Sequence, residues 1–593
     1  MAASPSRALM PSSCTCAAAT RVSTPTGRTR RGRLSGHSPS PGGHTTSNTK
    51  PLLSVGAYLI DALSSKGVDH IFGVPGDFIL GLHVIADERG TRMVNCTREE
   101  AATYAADGYA RETGLGAVAV TYGVGILATM AALCSANAER VPVVVIGGAP
   151  GMAERDGRRI HHMPSADMTS PFRMMEEIAA HAVLLDEVDE AYDQIDWLLM
   201  QVQQEMQPGY IELPRDLIGA VPTAPRPITR PADSLAQVSR VSAAADDVIA
   251  RINAAARPLM WLGHGASRLQ FGERALAFAE ATGIPIVESV MGKGAVDETH
   301  PLVLGVYVGA GSTPEMRGYV ESVDLVIEVG VSIDDITTGA FTSDIPPERR
   351  IHISKEGTRV EHRFYEGVGV AALANALEQR MGEIVPNEVP SALPQAWAAE
   401  VTDADRITTD VLADRLQRFV EKSDIVVSDV GVGAHLSMDA RLNRSGQFHI
   451  ARLYVGMGFA VPASYGAALA RGTGRPIVLV GDGSFQMTGF DLSTAVREGI
   501  APIVLVLDNH GYGAERSIHD GDFNDIAQWD YAAVGAVVGA IGMAVHTPEQ
   551  LDDALARARA DDDNAYIIQV DLDKHDVPRG LKALGEGLAH LMG

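Results

Sequence analysis

The sequence predicts an α/β protein of three doubly wound domains with mostly parallel sheets. Three observations predict it. From Ser54 to the end, apolar runs of strand length alternate with stretches of helical periodicity, the pattern of strands buried on both faces and joined by covering helices. Two Pro-rich segments, "VPTAPRPITRPAD" near residue 225 and "IVPNEVPSALP" near residue 390, cut that alternation into blocks of similar size. A chain of 593 residues also exceeds what a single hydrophobic core usually holds. The expected boundaries are a tail over 1–50, a first domain over 51–225, a central domain over 226–390 and a third over 391–593.

Taken in order, the tail holds seven Lys or Arg and no Asp or Glu, with Ser, Thr, Pro and Gly supplying much of the rest. Such a composition cannot bury enough apolar surface to order itself and is expected to be disordered. It is similar to an organelle transit peptide, and equally to sequence upstream of a mis-assigned start; the body behind it is expected to be cytoplasmic. In the first domain "SVGAYLIDALSSKG" reads as a helix capped by Ser54 and ended by Gly67, before the strand "HIFGV" and a Pro-Gly-Asp turn. Buried strands follow at "GAVAVTY", "VPVVVIGG" and "GYIELP". The central domain carries "PLMWLG", "IPIVES", "LVIEVG" and "RRIHIS", and the third "DIVVSDVG", "RPIVLVGDG", "APIVLVLDN" and "AYIIQVDL".

Composition excludes several classes of function. A net charge of -25 argues against nucleic acid or an anionic membrane as a partner, since both need clustered positive charge. Two of the four cysteines, Cys14 and Cys16, lie in the tail, which leaves too few for a disulfide framework or a cysteine-built zinc site. The apolar run "YAAVGAVVGAIGMAV" falls short of the roughly 18 residues of a membrane span.

The chemistry is concentrated at the ends of strands in the third domain. "RPIVLVGDGS" sets Asp482 at the carboxyl end of one strand, and "APIVLVLDNHG" sets Asn509 at the end of the next. Ligands of open parallel sheets bind at that edge. A carboxylate, an amide oxygen and a nearby backbone carbonyl are hard ligands suited to magnesium. Gly481 and Gly483 let the backbone approach a phosphate, and a helix starting near Phe485 offers its first amides. Gly-Asp-Gly alone describes any strand-to-helix turn. Elsewhere, "RRIHHMPSAD" sets His161 beside His162; neighbours in an extended chain point to opposite sides, so the pair is a poor metal site and by itself reads as a polar loop.

Gly-Asp-Gly-Ser after one strand, with Asp-Asn at the end of the next, resembles the signature of thiamine-diphosphate enzymes, and so implies the thiamine-diphosphate-binding fold. Asp482, Asn509 and the carbonyl of Gly511 match its Mg2+ ligands, with Gly481, Gly483 and Ser484 beside the diphosphate. In that family a glutamate activates the cofactor from five residues before the position that opens "YAADGYAR"; counting back from Tyr104 gives Glu99. "GVDHIFGVPGDF", "VTYGVG", "ERVPVVVIGGAP" and "GMGFAVPASYGAALA" resemble the 2-oxo-acid decarboxylase branch, which covers nearly the whole body. The resemblance implies that Asp77, His161, His162 and Glu515 surround the substrate, and that Val455 and Met457 in "VGMGF" support the cofactor. It further implies release of an aldehyde and carbon dioxide from a small-molecule 2-oxo acid, by a homodimer commonly paired into a homotetramer.

Some positions depart from the pattern. Asp508 replaces an asparagine, Val432 and Gly433 replace a Thr-Ser pair, and Ile126 replaces a glutamate; phosphate contacts near Val432 are then expected from backbone amides or from His435. Gly513 and Ala514, before Glu515, are small. Room for bulk is worth about 1–3 kcal/mol per methylene, so an aromatic or branched substrate (indolepyruvate, phenylpyruvate or a branched-chain acid) is expected over pyruvate. The alternatives are a carboligase of the acetohydroxyacid synthase type, whose relatives often hold FAD in the central domain, and a non-catalytic scaffold, which would have no chemical need for Glu99, Asp482 and Asn509.

Overall fold

The computed structural model describes residues 52–155, 159–226, 237–395, 397–402 and 404–592; the basic tail and part of the first Pro-rich segment lie outside them. The described chain from Leu52 onward forms one compact unit containing three sheets. The first is built from β1 (His70–Gly73), β2 (Arg92–Asn95), β3 (Gly116–Val120), β4 (Val143–Ala149), β5 (His181–Leu184) and β6 (Gly209–Pro214). The central sheet holds β7 (Pro258–Leu262), β8 (Ile286–Glu288), β9 (Val303–Val306), β10 (Leu325–Val329), β11 (Arg350–Ile353), β12 (Gly357–Val360) and β13 (Arg363–Glu366). The third holds β14 (Ile425–Ser428), β15 (Phe448–Ile450), β16 (Pro476–Gly481), β17 (Ile503–Asp508), β18 (Ile541–Val545) and β19 (Tyr566–Asp571).

The first and third sheets share one topology. Their orders are β2-β1-β3-β4-β6-β5 and β15-β14-β16-β17-β19-β18, with every pairing parallel. The central sheet, β13-β12-β11-β10-β7-β8-β9, is parallel except for β12 and β13, which close one edge as an antiparallel hairpin. The alternating strands and helices of the sequence therefore become three doubly wound layers, as expected.

The strands are apolar throughout because both faces are covered. On β16, Ile477 and Leu479 face one core while Val478 and Val480 face another. On β3, Val118 and Val120 join the second of these cores, and Ala117 and Ala119 a third. The first and third sheets thus share a core. At its centre the helix Glu99–Thr113 crosses the helix Ala460–Arg471. Gly108 meets the backbone of Ala463 and Gly466 that of Ala105, each so closely that a Cβ would stand about 2 Å from a carbonyl oxygen. Local signals were also met: the helix Val55–Ser64 is capped by Ser54, whose hydroxyl accepts from the Ala57 amide, and the chain turns at Gly67 with φ +85°.

Candidate active site

In a doubly wound sheet the chain winds outward in both directions from one switch point, and a crevice opens there beyond the carboxyl ends of the strands. In the third sheet the switch lies between β14 and β16. A cavity of ≈ 420 Å³ opens at that place, and its walls include Val430, Gly481, Asp482, Ser484, Asn509 and Gly511. Val455, Met457, Gly483 and Glu515 line it too. The structure therefore gathers the third-domain residues expected to hold metal, diphosphate, cofactor and substrate, with the exception of His435. The helix after β16 begins at Asp482, three residues earlier than expected, and runs only to Thr488.

Asp482 is 1 % exposed. Its Oδ1 accepts from the Gly483 amide at 2.7 Å and its Oδ2 from the Gly511 amide at 2.8 Å. Burial, with the negative charge of Asp508 added, pushes its carboxyl up to about 7, because the charged form has lost its water. Asp508 is likewise buried; its Oδ2 accepts from Gln569 at 2.7 Å and its Oδ1 has no hydrogen-bond partner. The buried carboxyl of Asp482, the buried amide of Asn509 and the backbone at Gly511, all on the cavity wall, make a hard-oxygen donor set, which fits magnesium. Gly483 keeps the floor low: a Cβ there would stand 2.7 Å from the ring of Tyr512.

A residue that sequence reasoning missed ties this cavity together. Asp429, just beyond β14 and fully buried, accepts from the amides of Val430 at 3.0 Å, Gly458 at 3.2 Å and Ala460 at 3.0 Å. Burial pushes it up to about 6 against those hydrogen bonds. It pins the segment that carries Val455, a non-glycine residue held at φ +61°, and Met457. Its only sequence signal was an acidic residue at a strand's carboxyl end, the same signal that marked Asp482. His435, expected as a phosphate ligand, is not one of the cavity's walls; it is buried against Arg452, whose Nη2 donates to its Nε2. Gly513 also differs from expectation. A Cβ there would stand 2.4 Å from Asn509 Nδ2, so its smallness serves packing on Asn509 and only Ala514 adds room.

The first-domain residues form a second group at the carboxyl edge of the first sheet. His161 Nε2 lies 3.0 Å from Asp77 Oδ2, and Arg215 stands 3.7 Å from the same oxygen. The ring of His161 lies 5.0 Å from that of Phe78 and 4.7 Å from that of His162. Ligand atoms of Asp77, His161 and His162 all fall within 4.8 Å of one another. The two histidines converge where an extended chain would part them because His162 takes the left-handed conformation, φ +66°. The loop "VTYGVG" packs beside the group: Gly76, next to Asp77, packs on Thr121, a Cβ on Gly125 would stand 3.4 Å from Glu99 Oε1, and one on Gly123 would stand 1.8 Å from the carbonyl oxygen of His162. Glu99 opens the helix Glu99–Thr113. Ile126, at the departure from the family pattern, is buried and packs against Gly147. Gly123 itself sits at φ +60°. Gly123→Ala is therefore expected to displace the histidine loop, and a shift of about 1 Å in a catalytic group costs on the order of 100-fold; kcat/KM on the best 2-oxo acid, at unchanged cofactor affinity, checks it.

The fold and the two groups define a thiamine pyrophosphate enzyme. Family profiles agree: residues 53–171 match the N-terminal thiamine pyrophosphate-binding domain of these enzymes, 245–380 their central domain, and 431–570 their C-terminal thiamine pyrophosphate-binding domain. The chain is similar over most of its length to proteins named alpha-keto-acid decarboxylase. It is 33% identical to that of Mycobacterium avium over 554 residues, covering 91% of this chain and 97% of the relative. With that of Mycobacterium leprae it shares 32% over 556 residues, 91% and 96% of the two chains. The chain belongs to the family of thiamine-diphosphate-dependent 2-oxo-acid decarboxylases. Among the described residues no helix is long and apolar enough to cross a membrane.

Proposed function

We propose that this protein releases carbon dioxide and an aldehyde from a 2-oxo acid with a side chain larger than methyl, using thiamine diphosphate and magnesium. The observation that carries this reading is the cavity at the switch point of the third sheet, where Asp482, Asn509 and Gly511 come together. These three would hold the metal, Gly481, Gly483 and Ser484 the diphosphate, and Val455 and Met457 the ring system. When bound, the cofactor supplies the electron sink that lets carbon dioxide leave. Glu99 holds a proton at its carboxyl for the cofactor's ring. His161, steadied by Asp77, and His162 move protons at their ring nitrogens, and Glu515 closes the substrate side.

No first-domain residue is among the walls of this cavity. This supports a homodimer in which Glu99, Asp77, His161 and His162 of one subunit complete the cavity of the other, with pairing of dimers into a tetramer as a further step. The test has two parts. Protein loaded with thiamine diphosphate and magnesium is given a panel of 2-oxo acids while carbon dioxide, aldehyde and acyloin are measured. Aldehyde as the main product is expected; acyloin as the main product would make it a carboligase, and neither product from any acid would sink the reading. Inactive Glu99→Gln and Asp482→Ala chains are then co-expressed. Activity should reappear in the mixed dimers, since one of their two sites is intact; continued silence would place both groups in one chain's site.

A further inference from the structure

The cavity carries one charged side chain that the chemistry above does not use. Arg452 stands just beyond β15, lines the cavity and is 3 % exposed. Its Nη2 donates to His435 Nε2, and its Nε has no hydrogen-bond partner. Burial, and then the charge of Arg452 itself, pushes the His435 imidazole well below its usual value, so the ring is neutral and accepts the bond. Among the described residues no carboxylate lies within ion-pair distance of Arg452. Glu139, Asp334 and Asp335 attract it from further off, and each is engaged elsewhere. Glu139 accepts from the Leu453 amide at 2.6 Å and faces Arg268 at 3.6 Å. Asp334 accepts from the Thr337 amide and Asp335 from that of Ile336.

A buried guanidinium whose hydrogen-bonding partner is a neutral imidazole is an expensive arrangement. It becomes favourable when an anion enters. Its surroundings differ from those of the metal and diphosphate residues. Asp482 is held by Gly483 and Gly511, whereas the Arg452–His435 pair is bounded by the terminal helix Arg579–Met592: a Cβ on Gly580 would stand 3.0 Å from His435 Nδ1. Leu581 and Leu584 of that helix, with Ile336 and Val432, are apolar parts of the cavity wall that Arg452 also lines. A cation set in an apolar wall is a receptor for the charged end of an otherwise apolar group.

We propose that Arg452, oriented by His435, receives a second carboxylate at the far end of the substrate, so that the enzyme acts on dicarboxylic 2-oxo acids. The inference rests on the decarboxylase reading of this cavity. The carboxylate next to the keto group cannot be the partner that persists, because its bond to C2 breaks and it leaves as carbon dioxide. A proton takes its place at C2, and the product is an aldehyde that keeps the distal carboxylate. That group is unchanged throughout, and Arg452 holds it from binding to release.

Initial rates with 2-oxoglutarate, 2-oxoadipate and the neutral 2-oxohexanoate, on wild type, Arg452→Met and Arg452→Lys, test this. Wild type should favour a dicarboxylic acid over the neutral one by at least ~100-fold in kcat/KM. Arg452→Met should lose that preference through KM while keeping its rate on 2-oxohexanoate, and Arg452→Lys should recover part of it. Calorimetry with thiamine diphosphate on the same variants should give unchanged affinity. A wild type that prefers 2-oxohexanoate, or an Arg452→Met that weakens cofactor binding and slows every acid alike, overturns the proposal; the second result assigns the guanidinium to the diphosphate. Binding of unreactive glutarate against pentanoate to the loaded protein judges Arg452 separately from turnover. If no acid yields carbon dioxide, the decarboxylase reading fails, while glutarate binding that is tight in wild type and lost in Arg452→Met would still uphold the receptor; equal binding in both would refute it.

Discussion

Asparagine at position 482 is expected to cost the protein its magnesium-dependent hold on the cofactor and, in the cofactor-free state, to make it more stable at pH 8. Both effects come from one buried carboxyl. Burial and the charge of Asp508 raise it to about 7, against roughly 3.9 in an unfolded chain. Between those values the folded protein holds a proton that the unfolded chain has lost. The stability of the cofactor-free protein therefore falls as pH rises from about 4 to about 7 and stays low above that, by up to ~4 kcal/mol at 1.36 kcal/mol per pH unit. A divalent cation reverses the balance by favouring the charged form. Metal affinity should accordingly rise up to about tenfold per pH unit below 7 and level off above it, with about one proton released at pH 6 and almost none at pH 8. Calorimetry in two buffers of different ionisation enthalpy reads the proton directly, and denaturant titration of wild type against Asp482→Asn reads the stability. Metal affinity that is flat from pH 5.5 to 7.5 would remove the physical basis of both expectations.

The parts of this molecule that were legible in sequence are those set by short-range rules. Strands such as "RPIVLVGDG" and "APIVLVLDN" were visible because burial on both faces demands continuous apolar runs, and Asp482 and Asn509 then stood out at their carboxyl ends. β12 and β13 were not visible. They are short, and in "RFYE" three of the four residues are exposed, so their pairing depends on the strand beside them more than on their own pattern. The meeting of His161 and His162 was hidden for a different reason. It depends on a positive φ at His162, which the flanking residues do not announce, and on Gly123 leaving space for that histidine's carbonyl, a neighbour far along the chain.

Arg452 and His435 show a third limit. Arg452 looked like any basic residue after a strand and His435 like a phosphate contact, and only tertiary placement reveals that each is the other's partner. Gly513 erred in the opposite direction: its small size was legible, but which neighbour used the space was not. A glycine next to a cavity either widens it or lets another atom in, and here the amide of Asn509 takes the room.

Alanine at position 466 is expected to destabilise the protein by about 3 kcal/mol or more and to impair cofactor activation along with it. The added Cβ would stand 1.9 Å from the carbonyl oxygen of Ala105 and 2.7 Å from its carbon. Both are backbone atoms of the helix Glu99–Thr113, so no side-chain rotation relieves the contact. Gly108 closes the same crossing from the other side against Ala463, which leaves the two helices no direction in which to slide without opening the core they share. The helix that must yield begins with Glu99, so a crossing forced apart also moves the carboxyl proposed to serve the cofactor. Gly318→Ala is the matched control. That glycine also lies within a helix, with nothing within 4 Å of the added carbon, and the substitution should stabilise by about 0.5–1 kcal/mol. Denaturant midpoints for the two variants, read beside the cofactor dependence of the rate, check the pair. Equal midpoints would mean that the crossing of the two helices is looser than the contact of Gly466 with Ala105 requires.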